Sequence, residues 1–117
     1  MPRTTPLYDL RTVQDLAKDG EHCRFTKNAE VRAELLGFNY DRCLEVIAWL
    51  SPVEFDRKLR YKSSGLSWDV YIVQGLLPPS RKKIYIKLRV YVDEGIEKLA
   101  VTSFHDEDLN RDDEDLI

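Results

Sequence analysis

The sequence predicts an α+β fold in which N-terminal helices pack on one face of an antiparallel β-sheet. Before Pro52 the apolar residues recur at helical spacing, and after Pro52 they recur at every second position. The segments between the predicted strands are short, which is typical of an antiparallel meander. With 117 residues, the chain has the length of one domain. We expect this domain to cover residues 1–105, followed by a disordered acidic tail over residues 106–117.

Three helices are predicted in the first half of the chain. The first covers residues 10–17, the second ends near Leu36, and the third ends at Ser51-Pro52. A short extended segment, His22–Phe25, separates the first two. Residues suited to cap or end helices mark the boundaries, namely Gly20, Thr26 or Asn28, Gly37 and Asn39.

Four strands are predicted after Pro52, over residues 54–61, 68–77, 83–92 and 98–105. In the third strand, aliphatic residues alternate strictly with cations and tyrosines; the polar positions are Lys83, Tyr85, Lys87, Arg89 and Tyr91. We expect the helices to cover the aliphatic side. Cations interleaved with aromatic rings on the other side favour binding of single-stranded nucleic acid. The alternative is a sheet face that long basic side chains merely shield from water.

Charge is strongly segregated along the chain. Residues 57–92 hold nine basic and one acidic side chain, whereas residues 106–117 hold one basic and seven acidic ones. The basic block favours a polyanionic partner. The acidic tail has two interpretations, a solubilising extension or a segment that folds back on the basic face and competes with RNA.

Neither a membrane segment nor an export signal is expected. The longest apolar run, Val46–Leu50, has five residues, and the first residues lack the apolar core of a secretory signal. Cys23 and Cys43 lie outside any CxxC motif, so we expect reduced thiols in a cytoplasmic protein. Cys43 falls on the buried stripe of the third helix and is interpreted as a core residue. The histidines and cysteines lack the spacing of a zinc motif, so no metal or cofactor is expected.

The basic face also carries residue types that could cleave RNA without a metal. One group must take the proton of a 2′-hydroxyl, another must protonate the departing 5′-oxygen, and cations must stabilise the phosphorane. Tyr85 lies in the middle of the third strand, and His105 closes the last strand, where it could lie beside Tyr85. These two residues are the predicted proton-transfer groups.

A series of short motifs follows in fixed order between Leu7 and Asp106. They are Leu10-x-x-Val13-x-x-Leu16, Glu34-Leu35-Leu36-Gly37-Phe38, Asp41-x-Cys43-x-x-Val46-Ile47, Trp68-Asp69-Val70-Tyr71, Tyr85-Ile86-Lys87-Leu88 and Val101-Thr102-Ser103-Phe104. In this order and spacing the chain resembles the MqsR family of type II toxin–antitoxin toxins, named for the motility quorum-sensing regulator. The resemblance implies a RelE-like fold and a metal-independent, sequence-selective mRNA endoribonuclease. It also implies a cognate antitoxin that carries a DNA-binding domain.

The resemblance further implies site residues. The tyrosine of the family's long strand corresponds to Tyr85, and its final lysine corresponds to His105. Its lysine in the first sheet strand corresponds to Arg57, with Lys58 adjacent. Arginine stays charged, so Arg57 can stabilise phosphate but cannot carry protons, whereas a histidine keeps that ability.

The family's glutamine after the tryptophan is missing, because Asp69 follows Trp68 directly. Trp68 is either a stacking residue for a base or part of the core. The predicted RNA contacts are Lys58, Trp68, Lys83, Lys87, Arg89 and Tyr91. The missing glutamine leaves an alternative open, a non-catalytic relative that binds RNA or protein. A third hypothesis is a protein-interaction module whose edge strand pairs with a partner.

Overall fold

A computed structural model describes residues 5–74 and 83–106. Within these ranges lie three helices, one 3₁₀ turn and five strands: α1 (Leu10–Asp19), β1 (Cys23–Phe25), α2 (Lys27–Leu35), α3 (Tyr40–Ala48), the 3₁₀ turn (Pro52–Glu54), β2 (Phe55–Arg60), β3 (Ser67–Val73), β4 (Ile84–Asp93) and β5 (Ile96–Asp106). The strands form one sheet in the order β1-β5-β4-β3-β2. The predicted α+β class, with helices preceding the main sheet, is confirmed.

Each helix begins where the sequence provides a capping side chain. The side chains of Asp9, Thr26 and Asn39 each accept a hydrogen bond from the backbone N–H three residues later. Helix α1 ends at Gly20, which has a φ of 77° and donates its N–H to the carbonyl of Leu16. The cap of α2 is therefore Thr26 and not Asn28.

The helices cover one face of the sheet and form the main core with it. That core combines small helix residues with the inward-facing strand residues; it includes Val13, Ala17, Ala29, Ala33, Cys43, Ile47, Tyr71, Ile86, Leu88, Leu99, Val101 and Phe104. Cys43 is buried here, as predicted, and both cysteines are free thiols. Burial raises the pKa of each thiol to about 12. Neither cysteine is therefore a nucleophile near neutral pH.

The prediction of a four-stranded antiparallel sheet was incomplete, because β1 joins the sheet as a fifth strand. It pairs in parallel with β5, and Cys23, Arg24 and Phe25 lie opposite residues 99, 100 and 101. The pairing covers the outer edge of β5. Three residues are too few to show an alternating pattern, so this pairing could not be predicted from the sequence.

Several predicted strand ends also change. Strand β2 begins at Phe55, because Ser51 and Glu54 form a capping box around the 3₁₀ turn. Strand β3 ends at Val73, and the part of its prediction over residues 75–77 lies outside the described residues, whereas β5 is longer than predicted. The predicted turn at residues 78–80 and the acidic tail beyond Asp106 lie outside the described residues. None of the described helices is long and apolar enough to span a membrane.

The side of the sheet turned away from the helices is called the outer face below. By register it carries Arg57, Leu59, Tyr61, Trp68, Val70, Ile72, Tyr85, Lys87, Arg89, Tyr91, Ser103 and His105. A small apolar cluster of Leu59, Val70 and Tyr85 lies at its centre. The predicted separation of an aliphatic side and a basic aromatic side of β4 is therefore present.

Candidate active site

Tyr85 and His105 form a cross-strand pair at the centre of the outer face. They lie directly opposite each other in the antiparallel pairing of β4 with β5. Their rings are stacked, with centroids 5.1 Å apart and planes 17° from parallel. The side chains are 1% and 2% exposed, respectively. The two predicted proton-transfer groups are thus in direct contact, but both are far more buried than a residue on an open face.

The hydrogen bond of His105 determines its neutral tautomer. Its Nδ1 lies 2.8 Å from the backbone carbonyl oxygen of Asp106. A carbonyl oxygen only accepts, so Nδ1 carries the hydrogen and Nε2 keeps its lone pair. Nε2 is buried and has no hydrogen-bond partner within the described part of the chain. The imidazole is therefore arranged to take up a proton at Nε2.

Arg57 brings a permanent positive charge to this pair from the edge strand β2. Its guanidinium carbon lies 5.8 Å from the centroid of the Tyr85 ring. It also forms an ion pair with the neighbouring carboxylate of Asp56. A cation over the face of an aromatic ring is attracted by the ring's quadrupole. Because its side chain is about half exposed, Arg57 can also contact an anion in solvent.

Lys58 does not join this group. It pairs by register with Asp69, on the helix-covered side of the sheet, because successive residues of a strand point to opposite sides. The structure therefore places Arg57, and not Lys58, beside Tyr85. Lys83 is exposed and immediately precedes β4.

Asp69, which directly follows Trp68, has a structural role. It is fully buried, and its two carboxylate oxygens accept the backbone N–H groups of Leu7 and Tyr8 at 3.0 and 2.9 Å. Burial raises the pKa of Asp69, although these two hydrogen bonds and the nearby charge of Lys58 act in the opposite direction. Asp69 thus ties the N-terminal arm to the sheet and does not face Tyr85.

A row of cations and aromatic rings continues along β4 beyond Tyr85. Lys87 donates a hydrogen bond to the hydroxyl of Tyr61, and its ammonium nitrogen lies 4.6 Å from the centroid of that ring. The guanidinium of Arg89 lies between two rings, 5.5 Å from Trp68 and 5.6 Å from Tyr91. The predicted RNA contacts on β4 therefore share one face and pack against each other.

Trp68 and Tyr61 enclose this row. The rings are 6.2 Å apart, and Trp68 is 7% exposed, while Lys87 is 6% exposed. Trp68 thus lies on the outer face but is not an open platform for a base. Tyr61 was not among the predicted site residues, although the alternation of Arg57 and Leu59 continues to it.

Comparison with known proteins identifies one family. The family model described as "Motility quorum-sensing regulator, toxin of MqsA" matches residues 5–106. A comparison with curated proteins returned no match. The matched region includes all the described strands, and with them every residue of the Tyr85–His105 pair and the row on β4.

Proposed function

The chain belongs to the motility quorum-sensing regulator family of toxins, and from this premise we propose that it is a metal-independent, sequence-selective mRNA endoribonuclease. The observation that carries the proposal is the stacked pair of Tyr85 and His105, with the guanidinium of Arg57 over the tyrosine ring. This group combines two proton-transfer side chains and one permanent cation. Those are the roles that RNA cleavage requires when no metal takes part.

The proposed reaction is an internal transfer at one phosphodiester. Nε2 of His105 takes the proton of the 2′-hydroxyl, and the 2′-oxygen attacks phosphorus. The hydroxyl of Tyr85 protonates the 5′-oxygen as the P–O5′ bond breaks. Arg57 stabilises the negative charge of the phosphorane. The products are a 2′,3′-cyclic phosphate and a 5′-hydroxyl, after which the proton on His105 returns to Tyr85 through solvent.

Cleavage of a long, mixed-sequence RNA in excess EDTA, followed by mapping of the ends, tests this proposal. Wild type should give discrete cuts with 2′,3′-cyclic phosphate ends. Tyr85→Phe keeps the ring and removes the hydroxyl, and we expect the rate to fall about 10²- to 10⁴-fold, the usual contribution of one proton-transfer group. His105→Asn should have a similar effect, because its amide can still donate to the Asp106 carbonyl but cannot take a proton.

Matched controls separate chemistry from folding. Tyr40→Phe removes a tyrosine hydroxyl that donates to backbone carbonyls on the helix side. His22→Asn removes the partly exposed histidine that pairs with Asp19. Both controls should cleave RNA like wild type. Equal cleavage by Tyr85→Phe, His105→Asn and wild type would refute the assigned roles.

A second candidate function is a non-catalytic relative that binds RNA or protein. The burial of Tyr85 and His105 favours it, because a 2′-hydroxyl reaches Nε2 only after covering side chains move. The absence of cuts together with salt-sensitive RNA binding would support it. A repeat with translating ribosomes would then distinguish it from a ribosome-dependent enzyme.

The family description also names an antitoxin, MqsA, as the partner of its members. We propose that this chain has a cognate antitoxin with a DNA-binding domain. We also propose that the substrate of this chain is mRNA. Growth arrest on expression, relieved by Tyr85→Phe and by co-expression of the antitoxin, is the expected result. Growth arrest that persists with both Tyr85→Phe and His105→Asn would contradict the proposed mechanism.

A further inference from the structure

A second group of hydrogen-bond donors lies on the outer face beside the candidate active site. It consists of Trp68, Lys87 and Arg89 and is called the donor cluster below. The Lys87 ammonium nitrogen lies 5.9 Å from the Trp68 ring centroid, and the Arg89 guanidinium carbon lies 5.5 Å from it. One indole therefore contacts two cations from the neighbouring part of the sheet.

Two N–H groups of the donor cluster are buried without an acceptor. Nε1 of Trp68 and Nε of Arg89 have no hydrogen-bond partner within the described residues. A buried donor without a partner is unfavourable, and most buried polar atoms in folded proteins are satisfied. Such donors therefore mark a position where an acceptor from outside the chain can bind once the side chains that cover these two atoms move aside.

The chemistry of the cluster defines the acceptor. Indole, ammonium and guanidinium groups can only donate, so the ligand must offer lone pairs. Two of the three groups are cations, so an anion is favoured. By register the neighbouring outer-face positions on β3 and β5 carry Val70, Ser103 and Ala100, none of which is acidic. A phosphodiester meets these requirements, because its non-bridging oxygens carry negative charge and only accept.

The position of the cluster relates it to the proposed cleavage site. Lys87 and Arg89 are the next two outer-face residues after Tyr85 on β4. Successive residues on one side of a strand are about 7 Å apart, so the cluster begins one such step from the Tyr85–His105 pair. An RNA strand that runs along β4 with its scissile phosphate at this pair brings a neighbouring phosphate to the cluster.

We propose that Trp68, Lys87 and Arg89 form a second phosphate site, which holds the phosphodiester adjacent to the scissile one. The inference rests on the proposed function for the identity of the strand as RNA. The site positions the strand along β4 and takes no part in proton transfer.

Fluorescence anisotropy with a labelled, mixed-sequence RNA strand tests the second phosphate site. The strand carries 2′-O-methyl groups, so no 2′-hydroxyl can attack and binding is measured without cleavage. Arg89→Gln should weaken binding about tenfold, the loss expected for one charge-assisted hydrogen bond. It should also reduce the slope of log K against log salt by about 0.7, the value for one phosphate contact in a single strand. Trp68→Phe should weaken binding while leaving that slope unchanged, because it removes a neutral donor.

Two controls match these changes on the helix side. Arg42→Gln removes an exposed arginine of α3, and Trp49→Phe alters a largely exposed tryptophan. Both should bind RNA like wild type. Arg89→Lys keeps the charge and removes the Nε donor, so it should retain the salt slope but not the full affinity. Circular dichroism of each variant identifies any loss of folding. Because Arg89 is only partly buried, its substitution should disturb the fold less than substitution of the buried Trp68.

The outcomes separate this inference from the proposed function. If Arg89→Gln and Trp68→Phe behave like their controls, the second phosphate site is refuted, even if wild type cleaves RNA. If wild type cuts no RNA, either alone or with translating ribosomes, but both variants shift binding as expected, the endoribonuclease proposal fails and the phosphodiester site is supported.

Discussion

The buried carboxylate of Asp69 gives the most direct test of how the N-terminal arm is held. In Asp69→Asn, one oxygen can still accept an N–H from the arm, while the amide nitrogen faces the other N–H as a second donor. A buried N–H that loses its acceptor costs about 1–3 kcal/mol. We therefore expect the free energy of unfolding to fall by about 1–3 kcal/mol.

Thermal and urea unfolding measure this loss. For a domain of this size, each kcal/mol lowers the melting temperature by about 4–8 °C. Asp15→Asn, which changes an exposed carboxylate on α1, serves as the control and should stay within about 0.5 kcal/mol of wild type. Limited proteolysis should cut the arm of Asp69→Asn faster than the arm of wild type. An Asp69→Asn variant as stable as Asp15→Asn would refute the role of the two arm hydrogen bonds.

The pH dependence of the stability difference between wild type and Asp69→Asn tests whether burial dominates the pKa of Asp69. Burial raises the pKa of Asp69, so the folded chain binds this proton more tightly than the unfolded chain. The resulting stability is present below the unfolded pKa of about 3.9 and is lost as pH rises through the higher folded value. The stability difference between wild type and Asp69→Asn should therefore be larger at pH 4 than at pH 7. A difference that grows with pH would mean that the arm N–H groups outweigh burial.

Three further predictions concern other parts of the chain. The Gln14 amide donates to two backbone carbonyls at and just after the end of α3. Gln14→Ala should therefore lower the free energy of unfolding, measured by urea titration, by about 1–2 kcal/mol. Gln14→Glu should lower it further, because a carboxylate would face both carbonyl oxygens. Cys23 and Cys43 should resist iodoacetamide at pH 8 until denaturant is added, because each thiol is buried with a pKa of about 12. Mass spectrometry measures the labelling, and rapid labelling of the native protein would contradict this burial. Deletion of residues 107–117 should tighten RNA binding at low salt if the acidic tail competes for the outer face, and unchanged affinity would reject that competition.

The sequence was sufficient to predict those features that local patterns encode. The alternation along β4 predicted which residues lie on the helix side and which lie on the outer face. A capping side chain marked the start of α3 at Asn39, and the start of α2 was predicted at either Thr26 or Asn28. Because His105 was expected to close the last strand, its position beside Tyr85 could also be anticipated.

Non-local features could not be predicted in the same way. The parallel pairing of β1 depends on the free edge of β5, which is distant in sequence. The burial of Lys87 on β4 depends on Tyr61, which lies just beyond the end of β2. The ring of Tyr61 packs against Lys87 across β3. Trp68 illustrates the same limit, because the sequence left open whether it belongs to the core or to the RNA-binding face. In the structure it is buried and yet lies on the outer face.

Two β-bulges determine which side chains reach the candidate active site. The register of β2 shifts between Phe55, which faces the helices, and Arg57, which faces outward, so the extra residue Asp56 reverses the alternation. Without that shift, Arg57 would point to the same side as Phe55, away from Tyr85.

A similar shift affects β5 opposite the bond between residues 87 and 88 of β4. Val101 and Phe104 both face the helices although they are three residues apart, and Thr102 is the extra residue between the two registers. This shift lets His105 face outward beside Tyr85 while Val101 remains in the core. The position after Trp68 has no such shift, and Asp69 therefore faces the helix side. The proposed cleavage chemistry on the outer face therefore uses Tyr85, His105 and Arg57, the last two of which depend on a bulge for their orientation.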